Sequence, residues 1–453
     1  MYVETLTLDN IKAFAELKLE FERPRLNGSP AYAGMNCFVG GNSSGKSTIL
    51  KSIAMVLSGP TVANQQLISP AGWVRHGASK GVIESRVHAD EGKDKFRKKG
   101  GTPALSIFTA GLSFESENGS TPVLKEKRYI TPKRTKVLSA ERGPWNTDAS
   151  GWFLGGYGPL RRLTGSSSEA LRYALGKGNL ASCVTLFRED AALSESETWL
   201  KQEHARTLED ISESREPSPL VDYVKEFLND GLLPNGFQIT RITVDHVYMA
   251  TPNGGELPLR DLSDGCRSAY ALMLDIIHSM ALSYGHAHLF GRDAENRMIV
   301  NHPGVILIDE LEAHLHPSWQ RTICEWLKTR FPLVQFFITT HSPLIVQAAD
   351  LGGIFVLPLP NEIESGREVR RLKPHEQDRI IFGRAEKVLL GEAFGLKHTW
   401  SVHADKLVSQ WEKLAALRES KGSLAAEEQR RYDALTNQMQ IVFEDDEDPL
   451  GNA

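Results

Sequence analysis

The sequence predicts an α/β fold in which a mixed sheet is flanked by helices, and three observations support this prediction. An apolar stretch, Met35–Val39, leads into a glycine- and serine-rich loop and then into a helical pattern from Lys46 to Leu57. Two further short apolar runs, Val305–Ile308 and Val334–Ile338, are typical of strands buried in a parallel or mixed sheet. A helical pattern separates these two runs, so strands and helices alternate along this part of the chain.

The loop after the first of these strands fits the pattern GxxxxGKS without interruption. Glycines let backbone N–H groups turn inward around a phosphate, and the helix N-terminus adds the positive end of its dipole. Lys46 can bridge the β- and γ-phosphate oxygens, while Ser47 offers a hydroxyl to Mg²⁺. A chance match is expected in roughly one or two chains in a hundred of this length. The pattern therefore predicts an ATP site formed by Gly40, Gly41, Asn42, Ser43, Ser44, Gly45, Lys46, Ser47 and Thr48, with Lys46 also taking part in catalysis.

The apolar run that begins at Val305 ends in two carboxylates, Asp309 and Glu310. If this run is a buried strand, its end emerges next to the phosphates of a bound nucleotide. Asp309 then holds Mg²⁺, and Glu310 polarises the attacking water as the catalytic base. Without the phosphate loop the same pattern would be an ordinary start of a surface loop, so this interpretation depends on the first motif.

A third motif, Leu262–Ser268 with the sequence LSDGCRS, opens a helical pattern from Arg267 to Ser283. It resembles the signature motif, LSxGxR or LSGGQ, of the ABC-type ATPases that include SMC proteins, RecF and the OLD-like family, and the resemblance covers most of the chain. It implies that Ser263 and Gly265 bind the γ-phosphate held by the phosphate loop of a partner head. Ser263 is also a suitable helix N-cap, and the two roles are compatible.

The same resemblance assigns a catalytic role to His341. This residue ends the sequence FFITTH, 32 residues after Asp309, where the family places a switch histidine that contacts the γ-phosphate. An isolated histidine is more often structural, and the order of the motifs favours the functional role. No glutamine has a convincing context for the family's Q-loop; Gln65 and Gln66 are candidates by position alone.

Further segments resemble the small prokaryotic ATPases grouped as AAA-type or OLD-like. The sequence DELEAHLHP at 309–317 matches their dimer seam, and its two histidines lack a suitably spaced third ligand for zinc. Other shared segments resemble the ATPases of antiphage defence operons, such as the ATPase subunit of Septu: Gly156–Arg162, Trp199–Leu200, Leu233–Pro234 and Gly391–Leu396. Whether Arg161 and Arg162 contact a phosphate or an effector stays open, since surface arginines are common.

The motifs divide the chain into four predicted parts. Residues 1–57 form the first part of an ABC-ATPase head, which contains the phosphate loop, and residues 58–258 an inserted α+β lobe. Residues 259–350 complete the head with the signature, the acidic strand end and His341. Residues 351–453 are predicted as a C-terminal helical hairpin with an acidic tail.

Composition limits the classes of function. A net charge of −5 over 453 residues argues against nonspecific coating of nucleic acid, although residues 93–136 hold eleven Lys and Arg against four Asp and Glu. That segment predicts either a DNA contact or a solvated loop. Four scattered cysteines indicate neither disulfides nor a zinc hook, and no leader or membrane anchor is evident. A cytoplasmic protein is expected.

The motifs are compatible with three functions. The favoured one is a Mg²⁺-dependent ATPase of an antiphage defence complex, whose paired heads control a separately encoded effector nuclease. The alternative is a RecF- or SMC-like ATPase that clamps DNA through residues 93–136. A self-contained OLD-type nuclease is disfavoured because only Asp446–Asp448 offers the spacing of a nuclease site, five residues before the last residue. The expected partners are therefore a second copy of the chain and an effector nuclease.

Overall fold

A computed structural model describes residues 1–21, 34–67, 69–90, 92–95, 107–115, 122–127, 140–146, 149–163, 165, 182–233, 236–359, 362, 368–396 and 398–443. The chain divides into two compact units, Met1–Val388 and Leu389–Ala453. Among the helices formed by these residues, none is long and apolar enough to span a bilayer.

The strands are numbered along the chain. They are β1 (Tyr2–Ile11), β2 (Phe14–Glu20), β3 (Met35–Gly40), β4 (Lys80–His88), β5 (Ile107–Glu115), β6 (Val123–Glu126), β7 (Leu154–Tyr157), β8 (Gln238–Ile242), β9 (Val247–Ala250), β10 (Glu256–Pro258), β11 (Phe290–Arg292), β12 (Met298–Val300), β13 (Gly304–Ile308), β14 (Val334–Thr340), β15 (Ile354–Leu357) and β16 (Arg370–Arg371).

The α-helices are numbered in the same way. They are α1 (Lys46–Gln66), α2 (Val184–Phe187), α3 (Ser194–Ser212), α4 (Leu220–Asn229), α5 (Asp264–Tyr284), α6 (Pro317–Arg330), α7 (Pro343–Val346), α8 (Pro374–Ile381), α9 (Ala385–Leu390), α10 (Val402–Lys421) and α11 (Ala426–Phe443).

Two sheets form the core of the first unit. The first is antiparallel throughout, with strand order β2-β1-β4-β5-β6. The second has the order β16-β15-β3-β14-β13-β7, and all of its neighbours are parallel except β15 and β16. This mixed sheet confirms the predicted α/β fold, and it places the strands that precede the phosphate loop, Asp309 and His341 side by side.

Helix α1 is largely buried, and residues of the two sheets meet in a continuous apolar core. Phe21, at the end of β2, packs edge-on against Phe337 of the mixed sheet at a centroid distance of 4.8 Å. Phe38 and Phe355 complete this aromatic cluster. In addition, the buried Gln335 side chain accepts from the N–H of Val3 at 2.7 Å and donates to its carbonyl at 2.9 Å, which ties β1 to β14.

Helix α1 runs past the predicted end at Leu57, with a kink at Gly59. Gly59 has a φ of 84° and kinks the helix, and Pro60 cannot donate to the carbonyl of Val56. The indole of Trp145 donates to that carbonyl instead, at 2.9 Å. The helix continues to Gln66, and Gln65 and Gln66 lie at the end of α1 opposite the phosphate loop.

The range 58–258, predicted as an inserted lobe, contributes strands to both sheets. Strands β4 to β6 complete the antiparallel sheet, and β7 pairs with β13. Strands β8, β9 and β10 form a separate antiparallel sheet, in which Thr243 and His246 close the turn between β8 and β9. A second turn precedes β10, with Gly254 at a φ of 81°.

The second unit contains the predicted helical hairpin. Helices α10 and α11 are joined after Gly422, which adopts the left-handed conformation that commonly ends a helix. Trp411 of α10 stacks on Tyr432 of α11, and its indole donates to Thr436 at 3.0 Å. The acidic stretch Glu444–Asp448 lies outside the described residues.

A carboxyl group joins helix α5 to the edge of the mixed sheet. The hydroxyl of the fully buried Tyr157 donates to Asp275 at 3.0 Å. Burial raises the pKa of Asp275 from 3.8 to about 6. Because the folded protein binds this proton more tightly than the unfolded chain does, ionisation costs stability as the pH rises from about 4 through about 6.

We therefore expect Asp275→Asn to stabilise the protein at pH 7.5. The difference between 3.8 and about 6 corresponds to ~3 kcal/mol, and the solvent contact that Asp275 keeps reduces the expected gain to ~1–2 kcal/mol. Thermal unfolding at pH 7.5 and pH 4.5 checks this, with a larger gain at the higher pH. An equal effect at both pH values would contradict it.

Candidate nucleotide-binding site

The predicted phosphate loop connects β3 to α1, which is the order of strand, loop and helix that the sequence predicts. Gly45 has a φ of 97°, and a side chain there would collide with the ring of Phe14. Ser43 is also left-handed, with a φ of 63°, so the backbone curls tightly before the helix begins. Asn42 and Ser43 are exposed, whereas the hydroxyl of Ser44 is buried without a hydrogen-bond partner.

Lys46, the first residue of α1, reaches back over this loop. Its ammonium donates to the carbonyls of Gly40 at 2.9 Å and of Gly41 at 2.8 Å. Burial lowers the pKa of Lys46, and the charges of Asp309 and Glu310 oppose this shift. The ammonium of Lys46 therefore lies close enough to the carboxylates that follow β13 to interact with their charges.

Thr339, near the end of β14, connects the two carboxylate residues. Its buried hydroxyl donates to the carboxylate of Asp309 at 2.5 Å and accepts from the backbone N–H of Glu310 at 2.8 Å. The contact fixes the orientation of Asp309 and the start of the following loop. No sequence motif singles out Thr339. The register of β13 and β14, in which Ile308 pairs with Ile338, places Thr339 beside Asp309.

Glu310 begins a strained loop. Its φ is 49°, and that of His314 is 66°. A left-handed conformation costs a residue other than glycine roughly 1–2 kcal/mol, so the surrounding structure has to hold it.

His341 and Glu312 face Lys46 from neighbouring elements. The backbone N–H of His341 donates to the carboxylate of Glu312 at 2.5 Å, and the second oxygen of Glu312 is buried without a partner. Partial burial and then the positive charge of Lys46 lower the pKa of His341, so its ring is neutral at pH 7. Glu312 is therefore a further acidic residue of the candidate site, and the sequence motifs do not predict this role.

Arg161 does not contact the phosphate loop. Its side chain is 4% exposed, and it donates to the carbonyls of Gly158 and Asp309 at 3.0 Å each. It also donates to the carbonyls of Glu310 at 3.1 Å and Leu311 at 3.2 Å. These contacts commit the guanidinium of Arg161 to backbone carbonyls of its own chain. Its neighbour Arg162 is exposed.

The signature residues lie next to their own chain's acidic loop. Gly265 packs so closely against His314 that a side chain would approach the His314 backbone oxygen to 2.3 Å. Ser263 is exposed, and its hydroxyl makes no capping hydrogen bond to α5. The capping role that the sequence left open for Ser263 is thus not used. The acidic groups that act on Lys46 are Asp309, Glu310 and Glu312, all outside the signature.

The two histidines of the DELEAHLHP segment and the basic residues of 93–136 were also considered from the sequence. His316 caps α6 by accepting from the N–H of Ser318, and His314 is exposed. Of the basic residues in 93–136, the structure describes Lys93, Lys95, Lys125 and Lys127, and the others lie outside the described residues. Lys127 pairs with Glu84 at 2.8 Å. A DNA contact through this range stays a prediction.

Comparisons with known proteins find similar AAA domains and ATPases. A family model described as "AAA domain" matches residues 5–150, and one described as "AAA domain, putative AbiEii toxin, Type IV TA system" matches residues 184–347. The Septu protein PtuA of Bacillus mycoides is 26% identical over 400 residues, which cover 88% of this chain and 45% of that protein. The Retron Vc95 probable ATPase of Vibrio cholerae is 33% identical over 133 residues, 29% of this chain and 23% of that protein.

The chain is similar to AAA-domain proteins and to ATPases named in antiphage-defence systems. It spans less than half the length of the curated relatives it matches, including a Septu protein PtuA of Bacillus thuringiensis that is 30% identical over 185 residues, 40% of this chain and 44% of that protein. Among solved structures, the SMC head domain from Thermotoga maritima is 13% identical with a TM-score of 0.40, covering 82% of this chain and 100% of that one.

The residues of this candidate site fit Mg²⁺ and a nucleotide. A curled loop with exposed residues, the buried free hydroxyl of Ser44 and the ammonium of Lys46 form a cradle for phosphate. Ser47 and Asp309 provide the hydroxyl and carboxylate oxygens that Mg²⁺ prefers.

We expect Thr339→Val to weaken the binding of Mg²⁺. The change removes the hydroxyl that orients Asp309, and the loss of such a supporting group typically lowers metal affinity by about 10–100-fold. Titration of a fluorescent ATP analogue with Mg²⁺ and with EDTA measures this, and only the Mg²⁺-dependent affinity should fall. Thr339→Ser, which keeps the hydroxyl, is the control. Unchanged Mg²⁺-dependent affinity in Thr339→Val would contradict the assignment.

Proposed function

We propose that this chain hydrolyses ATP at sites shared between two copies, and that closing and reopening of the pair controls a separate effector. One observation carries the proposal. Lys46, Asp309, Glu310 and His341 belong to one group at the strand ends, while the exposed hydroxyl of Ser263 is uncommitted at the start of α5. Each chain thus offers an incomplete site and a free signature that can complete the site of a second copy.

The residues have distinct roles in this proposal. Bound Mg²⁺ supplies charge neutralisation at the phosphates, and Ser47 and Asp309 hold it. Lys46 and the loop N–H groups bind the phosphate oxygens, and Glu310 accepts the proton of the attacking water. The neutral ring of His341 donates a hydrogen bond to the γ-phosphate.

The role in defence is supported by the relatives. Proteins named as Septu PtuA and retron ATPases are among those most similar to this chain, and we propose that it acts in the cytoplasm as the ATPase of an antiphage complex. The effector is then a nuclease encoded by another gene. A nuclease gene beside this one in the genome favours this proposal, whereas a replication or repair gene favours a DNA clamp.

Glu310→Gln should trap the closed pair. The amide keeps the shape of the side chain but cannot accept the proton, so ATP stays bound and the pair stays closed. Light scattering with Mg²⁺ and ATP should then give about twice the 50.2 kDa mass of one chain.

The control is the double variant Lys46→Ala/Glu310→Gln, which lacks the phosphate-binding ammonium and should stay at the mass of one chain. A Glu310→Gln protein that binds ATP and yet keeps the mass of a single chain would contradict the shared site.

A further inference from the structure

Arg161 is a buried cation at the focus of several carbonyl groups. Four backbone oxygens accept from its guanidinium within 3.2 Å, and three of them belong to the consecutive residues Asp309, Glu310 and Leu311. Carbonyl dipoles that converge on one point repel each other unless a positive charge lies between them. Burial lowers the pKa of Arg161 to about 10, so the side chain remains charged at neutral pH.

The loop that Arg161 holds contains the strained residue Glu310. The N–H of Glu310 donates to Thr339, and its carbonyl accepts from Arg161, so both peptide groups around the left-handed residue are fixed. These two contacts come from opposite sides of the loop, one from β14 and one from the segment after β7. A residue in such a conformation persists only where its surroundings hold it.

The location of Arg161 is itself well defined. The carbonyl of Tyr157, the last residue of β7, accepts from the N–H of Asp309 at 2.8 Å. The next residue, Gly158, lies so close to Thr185 that a side chain would approach the Thr185 carbonyl oxygen to 2.3 Å. The chain therefore turns next to the end of β13. Arg161 then lies in contact with the loop that begins at Asp309.

We propose that Arg161 is a positioning residue for hydrolysis, which holds Glu310 in the conformation needed to activate water and contacts no nucleotide itself. Its flat, forked guanidinium can serve several carbonyls at once. A lysine at this position would keep the charge but has a single compact ammonium and cannot span them. The loss of the fork should therefore slow hydrolysis without weakening nucleotide binding.

The test compares Arg161→Lys with Arg162→Lys, the same change at the exposed neighbour. The inference rests on the proposed ATPase activity, so wild-type turnover is measured first. For Arg161→Lys, we expect kcat to fall by about 10–100-fold, because small misplacements of a catalytic group have effects of that size. The Kd for ATP, measured with a fluorescent analogue, should stay within about threefold of wild type, and Arg162→Lys should match wild type in both.

The turnover rate is calculated per molecule of bound nucleotide. Misfolded protein that binds no nucleotide therefore does not lower the measured kcat. Wild-type protein without turnover would overturn the proposed function itself. Given an active wild type, the positioning role is overturned if Arg161→Lys keeps wild-type kcat. It is also overturned if Arg161→Lys loses nucleotide binding, since the guanidinium would then support the whole site and not the loop with Glu310.

Discussion

The carboxyl ends of β3, β14 and β13 lie side by side in the mixed sheet, and the site depends on this arrangement. Parallel pairing brings the three ends to one edge, where β3 continues into the phosphate loop, β14 ends at Thr340 and β13 at Ile308. Because β14 separates the other two strands, its Thr339 can reach the residues that follow β13. Residues from distant parts of the chain thus lie close enough for their charges to interact.

The same edge contains the most constrained part of the backbone. The loop after β13 includes a left-handed glutamate and places several carbonyls around the buried Arg161. Polar groups in such a setting have to be satisfied, because a buried unpaired group costs far more than a typical hydrogen bond contributes. Thr339 and Arg161 meet this requirement from two sides. The conformation of Glu310 is therefore held by contacts within the chain.

Sequence patterns predicted the strands and loops with local signals and missed the contacts between distant segments. The phosphate loop, the acidic strand end and the C-terminal hairpin each follow from residues close in sequence. Arg161 lies 148 positions before Asp309, and nothing in its neighbourhood indicates that its side chain is buried. Likewise, the Gly59–Pro60 pair is an ordinary helix stop, and the contact of the carbonyl of Val56 with Trp145, far along the chain, has no local signal.

The central claim is that one catalytic site needs residues of two chains, and a mixture of two defective variants tests it most directly. Lys46→Ala cannot bind phosphate, and Ser263→Arg blocks the signature, so each alone should be inactive. In an equal mixture, half of the pairs are mixed, and each mixed pair holds one complete site; turnover should recover to roughly a quarter of the wild-type value. No recovery on mixing, or full turnover by Ser263→Arg as a single chain, would contradict the account.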